Sequence, residues 1–321
     1  MKERDVSIDI LRFFAIIGII IAHTTPSPLF VQIRGFDVVL MVFLSAVCTK
    51  KFDEGKFNYF AFLVKRCIRL ILPVWLFFIL YYIGIYLFYY LPPINDIVAS
   101  FTFTSDRYVW IIRILVVLSI LAPFIWQLTH RLSSTALLII LLSGLVLSEY
   151  LFCVYSSRIY DMIFMTIPYG LVYILGMNVN RFSKKMQLAL AYSFLSVFII
   201  LFIYLWGVSG ECVLTSVYKY PPHFYYMSYA LAVTLLMWVY RSQIGCVMHK
   251  LHLRSFASYV GCHTYWLYLW HIPIVDVVQG YFNPFIRFFI IFGVAMLIVI
   301  VQDKIVNYYI KNKTWKSVFN G

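Results

Sequence analysis

Apolar residues run in stretches of about twenty along this chain, separated by short polar or proline-containing breaks. A helical run of that length crosses the roughly 30 Å hydrocarbon core of a bilayer. Ten such segments are predicted: 8–25, 36–49, 70–90, 109–129, 135–155, 161–178, 187–207, 223–240, 257–278 and 285–303. The second is short and the ninth opens in weakly apolar sequence. No internal repeat or low-complexity linker interrupts the series. The pattern predicts an all-α polytopic membrane bundle of about ten transmembrane helices, a single domain over residues 1–321.

Orientation follows from where the basic residues fall. With the N-terminus inside, the cytoplasmic segments hold Lys2, Arg4, Arg12, Lys50, Lys51, Lys56, Lys65, Arg66, Arg69, Arg131, Arg181, Lys184, Lys185, Arg241, Lys250, Arg254, Lys304, Lys311, Lys313 and Lys316, which is 20. The opposite side holds four: Arg34, Arg107, Arg158 and Lys219. Arg113 and Arg287 lie near the outer ends of their spans. By the positive-inside rule both termini are cytoplasmic, and the even span count returns the C-terminus to the side of the N-terminus.

Composition narrows the class. The chain is 63% hydrophobic and only 12% charged, against about 25% charged for a soluble domain. Its net charge of +13 sits in short loops rather than on a basic helix or tail, so nucleic acid is not an expected partner. The six cysteines are scattered without a CxxC pair, which predicts neither a metal site nor a disulfide framework. The first apolar segment carries internal charge and no small-residue cleavage site, so it is expected to be retained.

An ionisable side chain near the centre of a membrane helix costs about 2.5–3.5 kcal/mol on insertion scales, which makes each one a functional candidate. In the first segment Asp9, Arg12 and His23 share one helical face, because 11 positions complete three turns with little to spare. Arg12 and His23 are then about 16 Å apart along the axis, near the inner boundary and past the midplane respectively. The bland alternative makes Arg12 a topology anchor and His23 an interfacial hydrogen-bonding residue. Arg66 and Arg69 form an i,i+3 pair whose two guanidinium forks suit phosphate or pyrophosphate; orientation alone would also explain them.

Further polar residues sit within or beside the spans. Asp37 heads the second segment, where it could line an outer cavity near His23. Glu149 lies in the fifth and needs a partner, with Arg113 and Arg158 as candidates. Thr264, Tyr268 and His271 share a face of the ninth, as a substrate surface or as a packing seam. The aromatic residues around Tyr218 to Tyr229 could stack on sugar rings.

Arg12 and His23 stand in the string DILRFFAIIGIIIAH, which resembles the opening of acyltransferase family 3. Arg66-x-x-Arg69 in KRCIRLILPVW resembles that family's second signature. FDVVLMVFLSA (Phe36 to Ala46) is similar to its second helix, with Ala46 where glycine is usual. GCHTYWLYLWHIPI (Gly261 to Ile274) is similar to its late pattern, with Thr264 at the serine position. KYPPHFYYM also looks familial. The resemblance implies transfer of an acyl group, usually acetyl from acetyl-CoA as co-substrate, to a hydroxyl of a glycan or lipid-linked sugar. It implies a catalytic His23, to which Asp37 is added as a candidate, and donor binding by Arg12, Arg66 and Arg69. No metal is expected. The protein is expected among the lipids of a bacterial inner membrane, and the oligomeric state is left open.

A sugar hydroxyl is a poor nucleophile at neutral pH and needs a base at the moment of attack. His23 could take its proton, or carry the acyl group itself. The imidazole is expected within the helix bundle, reached by a thioester from inside and a hydroxyl from outside. A transporter or flippase for a lipid-linked glycan or small solute is the rival reading. Against it, no repeated halves or paired broken helices are visible.

Overall fold

The computed structural model describes residues 5–49, 52, 58–88, 90–104, 109–155 and 164–319. Among them the regular elements are all helical. They are α1 (Val6–Ala22), α2 (Pro28–Ile33), α3 (Asp37–Val47), α4 (Tyr59–Leu70), α5 (Leu72–Phe88), α6 (Ile94–Phe101), α7 (Trp110–Thr129) and α8 (Ser134–Val154). The second half continues with α9 (Thr166–Asn178), α10 (Lys184–Ser209), α11 (Phe224–Val239), α12 (Arg241–Lys250), α13 (Arg254–Cys262), α14 (Thr264–Val278), α15 (Pro284–Tyr309) and α16 (Lys313–Phe319). Lys2, Arg4, Lys50, Lys51, Lys56, Arg107 and Arg158, all part of the charge count, lie outside the described residues.

Among the described residues six stretches are long and apolar enough to cross a membrane: Pro28–Val47, Tyr59–Phe88, Trp110–Thr129, Ser134–Val154, Lys184–Ser209 and Pro284–Tyr309. A seventh arises if α11 and α12, bent by 67°, count as one. The chain is therefore a helical integral membrane protein. Three predicted segments hold shorter helices. The first gives α1 with 17 residues, the sixth gives α9 with 13, and the ninth breaks at His263 between α13 and α14. The third begins earlier than its apolar run, at Tyr59, because the amphipathic α4 leads into α5 through a break at Ile71. Pro73 supplies a reason for that break, since it has no N–H to return to the carbonyl of Arg69.

Local chemistry sets the helix ends. Asp5 caps α1 by accepting from Ser7 N–H at 2.9 Å, and Ser133 and Asn283 cap α8 and α15 in the same way. Such caps satisfy donors that have no partner inside the helix. At the far end of α10 the chain leaves the helix through Gly210 with φ of 73°, a left-handed turn that glycine enters without a Cβ clash.

The described residues form two compact units, residues 1–52 with 122–261 and residues 53–121 with 262–321. In the first, α3 packs on α1, α9 and α11, and α10 lies along α11. Its interior is built from Leu11, Ile16, Ile20, Leu40, Phe43, Tyr169, Tyr173 and Tyr226, all fully buried. Gly176 lets α9 touch α3, because a Cβ there would stand 2.6 Å from the Phe43 carbonyl oxygen. In the second unit α14 packs on α5 and α15, around Phe77, Phe78, Trp266, Leu267 and Leu269. Outward residues such as Ile199, Ile200 and Ile203 on α10 are exposed, as a surface facing lipid tails requires.

Candidate functional site

The polar stripe on α1 begins as the helical spacing predicts. Asp9 is buried and faces Arg12, with Nη1 of the arginine 3.6 Å from its carboxylate. Arg12 Nη2 also donates to the Cys48 sulfur at 3.3 Å, at the end of α3. The Arg12 side chain keeps about a quarter of its surface open. It is thus partly compensated and still reachable.

His23 ends the same helix. It is the residue after Ala22, with φ −89° and ψ 2°, and its backbone N–H still bonds to Ile20. The residue is exposed and stands at the rim of α1, whereas the sequence reading sets its imidazole within the bundle. Two residues on, Thr25 takes φ of 50°. A β-branched residue in that left-handed region is strained by about 1–3 kcal/mol, so the turn leaving His23 is held by its surroundings.

Asp37 sits in the first turn of α3 with its side chain entirely buried. One carboxylate oxygen accepts from Arg34 Nη1 at 2.7 Å. The other accepts from Val38 N–H at 2.7 Å and from Lys219 Nζ at 3.5 Å. Lys219 is itself buried and lies over the rings of Tyr220 and Tyr226. Two cations around one carboxylate leave this buried cluster positive by one. Asp37 is therefore enclosed and fully engaged; it does not line an open cavity.

Glu149 finds its partner in His223, neither of the arginines suggested by the sequence. Its Oε1 is 2.9 Å from His223 Nδ1, and its Oε2 accepts from Phe224 N–H at 2.7 Å, across from α8 to the start of α11. Arg113 instead donates to the Phe103 carbonyl at 3.1 Å, and Arg158 is outside the described residues. A single imidazole could not be chosen from the apolar pattern, because His223 lies where a loop meets a helix. The string KYPPHFYYM contained both Lys219 and His223, and its charge and imidazole between aromatic residues were the available signal.

The second unit carries the remaining candidates. Arg66 is half-buried, its guanidinium carbon 5.4 Å from the centre of the Phe62 ring, and Arg69 is exposed in the last turn of α4. The pair shares the helix face that the i,i+3 spacing predicts. On α14 the rings of Tyr268 and His271 meet at 5.3 Å, with His271 buried. Thr264 is the first residue of that helix. Sequence reading missed that Trp270 donates to Gln302 Oε1 at 2.8 Å and that His263 faces Asp303 at 3.8 Å, which join α14 and its cap to α15. Among the described residues no group of three or more His, Cys, Asp or Glu could hold a metal ion.

A helical integral membrane protein with partly open guanidinium groups and helix-end imidazoles is the class these observations define. The chain matches the acyltransferase domain of acyltransferase family 3 over residues 5–301, nearly its whole length, and belongs to that family. It is a membrane acyltransferase. No curated protein and no solved structure matches it.

Proposed function

We propose that this protein moves acetyl from cytoplasmic acetyl-CoA to a hydroxyl of a cell-surface glycan or its lipid-linked precursor. In this reading it is one domain of ten spans in a bacterial inner membrane, with both termini cytoplasmic. The observation that carries it is the polarity of α1. That helix holds a partly open Arg12 near one end and an exposed His23 at the other, about 16 Å away. A donor bearing several phosphates needs cations on the side it comes from. A hydroxyl acceptor needs a base on its own side.

Arg12 would meet the donor's phosphates through its forked N–H groups. Arg66 and Arg69 enter the proposal through their spacing and the family signature. His23 takes the acceptor's proton as the new O–C bond forms and the thioester C–S bond breaks, or accepts the acetyl and passes it on. Asp37 acts as a positioning residue. It meets α1 at Gly18, where a Cβ would lie 3.0 Å from its own, and it pins the turn between α2 and α3 through Arg34. Thr264, Tyr268 and His271 remain candidates for contact with substrate.

Purified protein given radiolabelled acetyl-CoA tests the reaction, with proton spectra of envelope glycan reporting the acceptor. His23→Ala is expected to abolish transfer while insertion and yield stay normal. Unimpaired acetylation by that variant would overturn the assignment of His23.

A further inference from the structure

Resting on that reading, we propose that Glu149 and His223 form an acceptor subsite, in which His223 Nε2 accepts a hydrogen bond from a hydroxyl of a neutral carbohydrate ring. A carboxylate can only accept, so Nδ1 donates to Glu149 at 2.9 Å and the neutral imidazole presents its lone pair at Nε2. The second carboxylate oxygen is held by Phe224 N–H at 2.7 Å, so the pair cannot rotate freely. No hydrogen bond from the described residues occupies Nε2. The imidazole keeps 23% of its side-chain surface open and Glu149 keeps 37%, so a ligand can reach both.

The half-buried Tyr218 beside the imidazole suits a sugar. The Tyr218 ring stands edge-on to His223 at 5.6 Å, and the buried Phe152 ring packs against the imidazole at 5.4 Å. Tyr225, buried and donating to the Val213 carbonyl, backs Tyr218 at 5.5 Å. Aromatic faces carry partial negative charge and attract the C–H faces of a pyranose, while an oriented imidazole reads a hydroxyl. A cap for α11 would need only Nδ1 and the carboxylate. A partly open imidazole whose distal nitrogen meets no partner among the described residues exceeds that requirement.

The subsite is also tied to the elements that follow His23. Gln32 Oε1 accepts from Thr215 N–H and Oγ1 at 3.0 and 3.1 Å, and Lys219 reaches Asp37. These bonds fasten the segment leading to His223 onto α2 and the head of α3, which follow His23 in the chain. His223 therefore follows a segment fastened to the elements that come directly after His23.

The discriminating variant is His223→Asn. Its amide N–H replaces Nδ1–H toward Glu149, while the distal nitrogen is gone. The full-length protein in nanodiscs is given radiolabelled acetyl-CoA, and release of labelled acetate to water plus labelling of the protein report the donor half of the reaction. Proton spectra of envelope glycan from cells producing each variant report the acceptor half. The subsite predicts donor turnover within about twofold of wild type and glycan acetylation reduced at least roughly tenfold in both His223→Asn and His223→Ala. Normal glycan acetylation by His223→Asn would assign the pair to helix capping and overturn the subsite. Equal loss of both halves in a folded His223→Asn protein would overturn it as well. Wild-type protein that neither turns over acetyl-CoA nor acetylates glycan would instead sink the parent reading.

Discussion

Lys219 Nζ lies 3.5 Å from Asp37 Oδ1, although 182 positions separate them in the chain. Both side chains are buried, and Arg34 shares the carboxylate at 2.7 Å. Removing one member of a buried ion pair costs about 3–5 kcal/mol, chiefly because the other charge is stranded. Asp37→Asn strands two cations, whereas Lys219→Met leaves the Arg34–Asp37 pair neutral. Thermal unfolding in nanodiscs is expected to rank Asp37→Asn as clearly less stable than Lys219→Met. The double variant is expected to recover part of the loss. The reverse ranking would show that the cluster is not held by charge balance.

A second prediction concerns the start of the polar stripe. A Cβ on Gly261 would stand 1.9 Å from the Asp9 carbonyl oxygen and 2.9 Å from its Cα. Backbone on both sides cannot yield as a flexible side chain would. Overpacking typically costs about 1–3 kcal/mol, and a clash with backbone belongs at the upper end. Gly261→Ala is expected to lower the unfolding temperature or the yield of inserted protein, while Gly293→Ala, where a Cβ meets nothing within 4 Å, is expected to be neutral.

Much of the architecture was legible in the apolar runs because a membrane helix must be long and greasy throughout. What the runs could not show was where helices break inside them. The interruption at His263 lies inside the predicted segment 257–278. Hydropathy alone does not mark it. The Asp9–Arg12 pair was readable because i,i+3 neighbours on a helix must meet. The partners of Asp37 and Glu149 were not, since Lys219 and His223 reach them from a distant loop. Ala46, where the family resemblance expects glycine, has its own account. Its Cβ faces Gly176, where an added Cβ would lie 2.8 Å away, so the missing side chain sits on α9 instead of α3.

Arg66 and Arg69 offer a test of donor recognition independent of the catalytic base. Forked contacts to phosphate need guanidinium geometry, which lysine does not reproduce. Arg66→Lys and Arg69→Lys are expected to raise KM for acetyl-CoA about tenfold while kcat stays within about threefold, the pattern of lost uniform binding. Unchanged KM in these variants and in the alanine pair would assign both residues to membrane orientation.

Cys48 allows donor binding at Arg12 to be read without turnover. Its sulfur accepts from Arg12 Nη2 at 3.3 Å, and the thiol is free and exposed. Phosphates drawn to that guanidinium would cover the sulfur within van der Waals reach. In protein retaining Cys48 with the other five cysteines replaced by serine, saturating acetyl-CoA is expected to slow maleimide labelling about fivefold or more, by mass action on the open form. Acetyl-CoA carries no free thiol to compete for the reagent. Adenosine alone, lacking phosphate, is expected to give no protection, and Arg12→Ala is expected to remove the protection given by acetyl-CoA. Labelling at the same rate with and without acetyl-CoA, at concentrations that support transfer, would separate Arg12 from the donor site and leave its pairing with Asp9 as a structural contact.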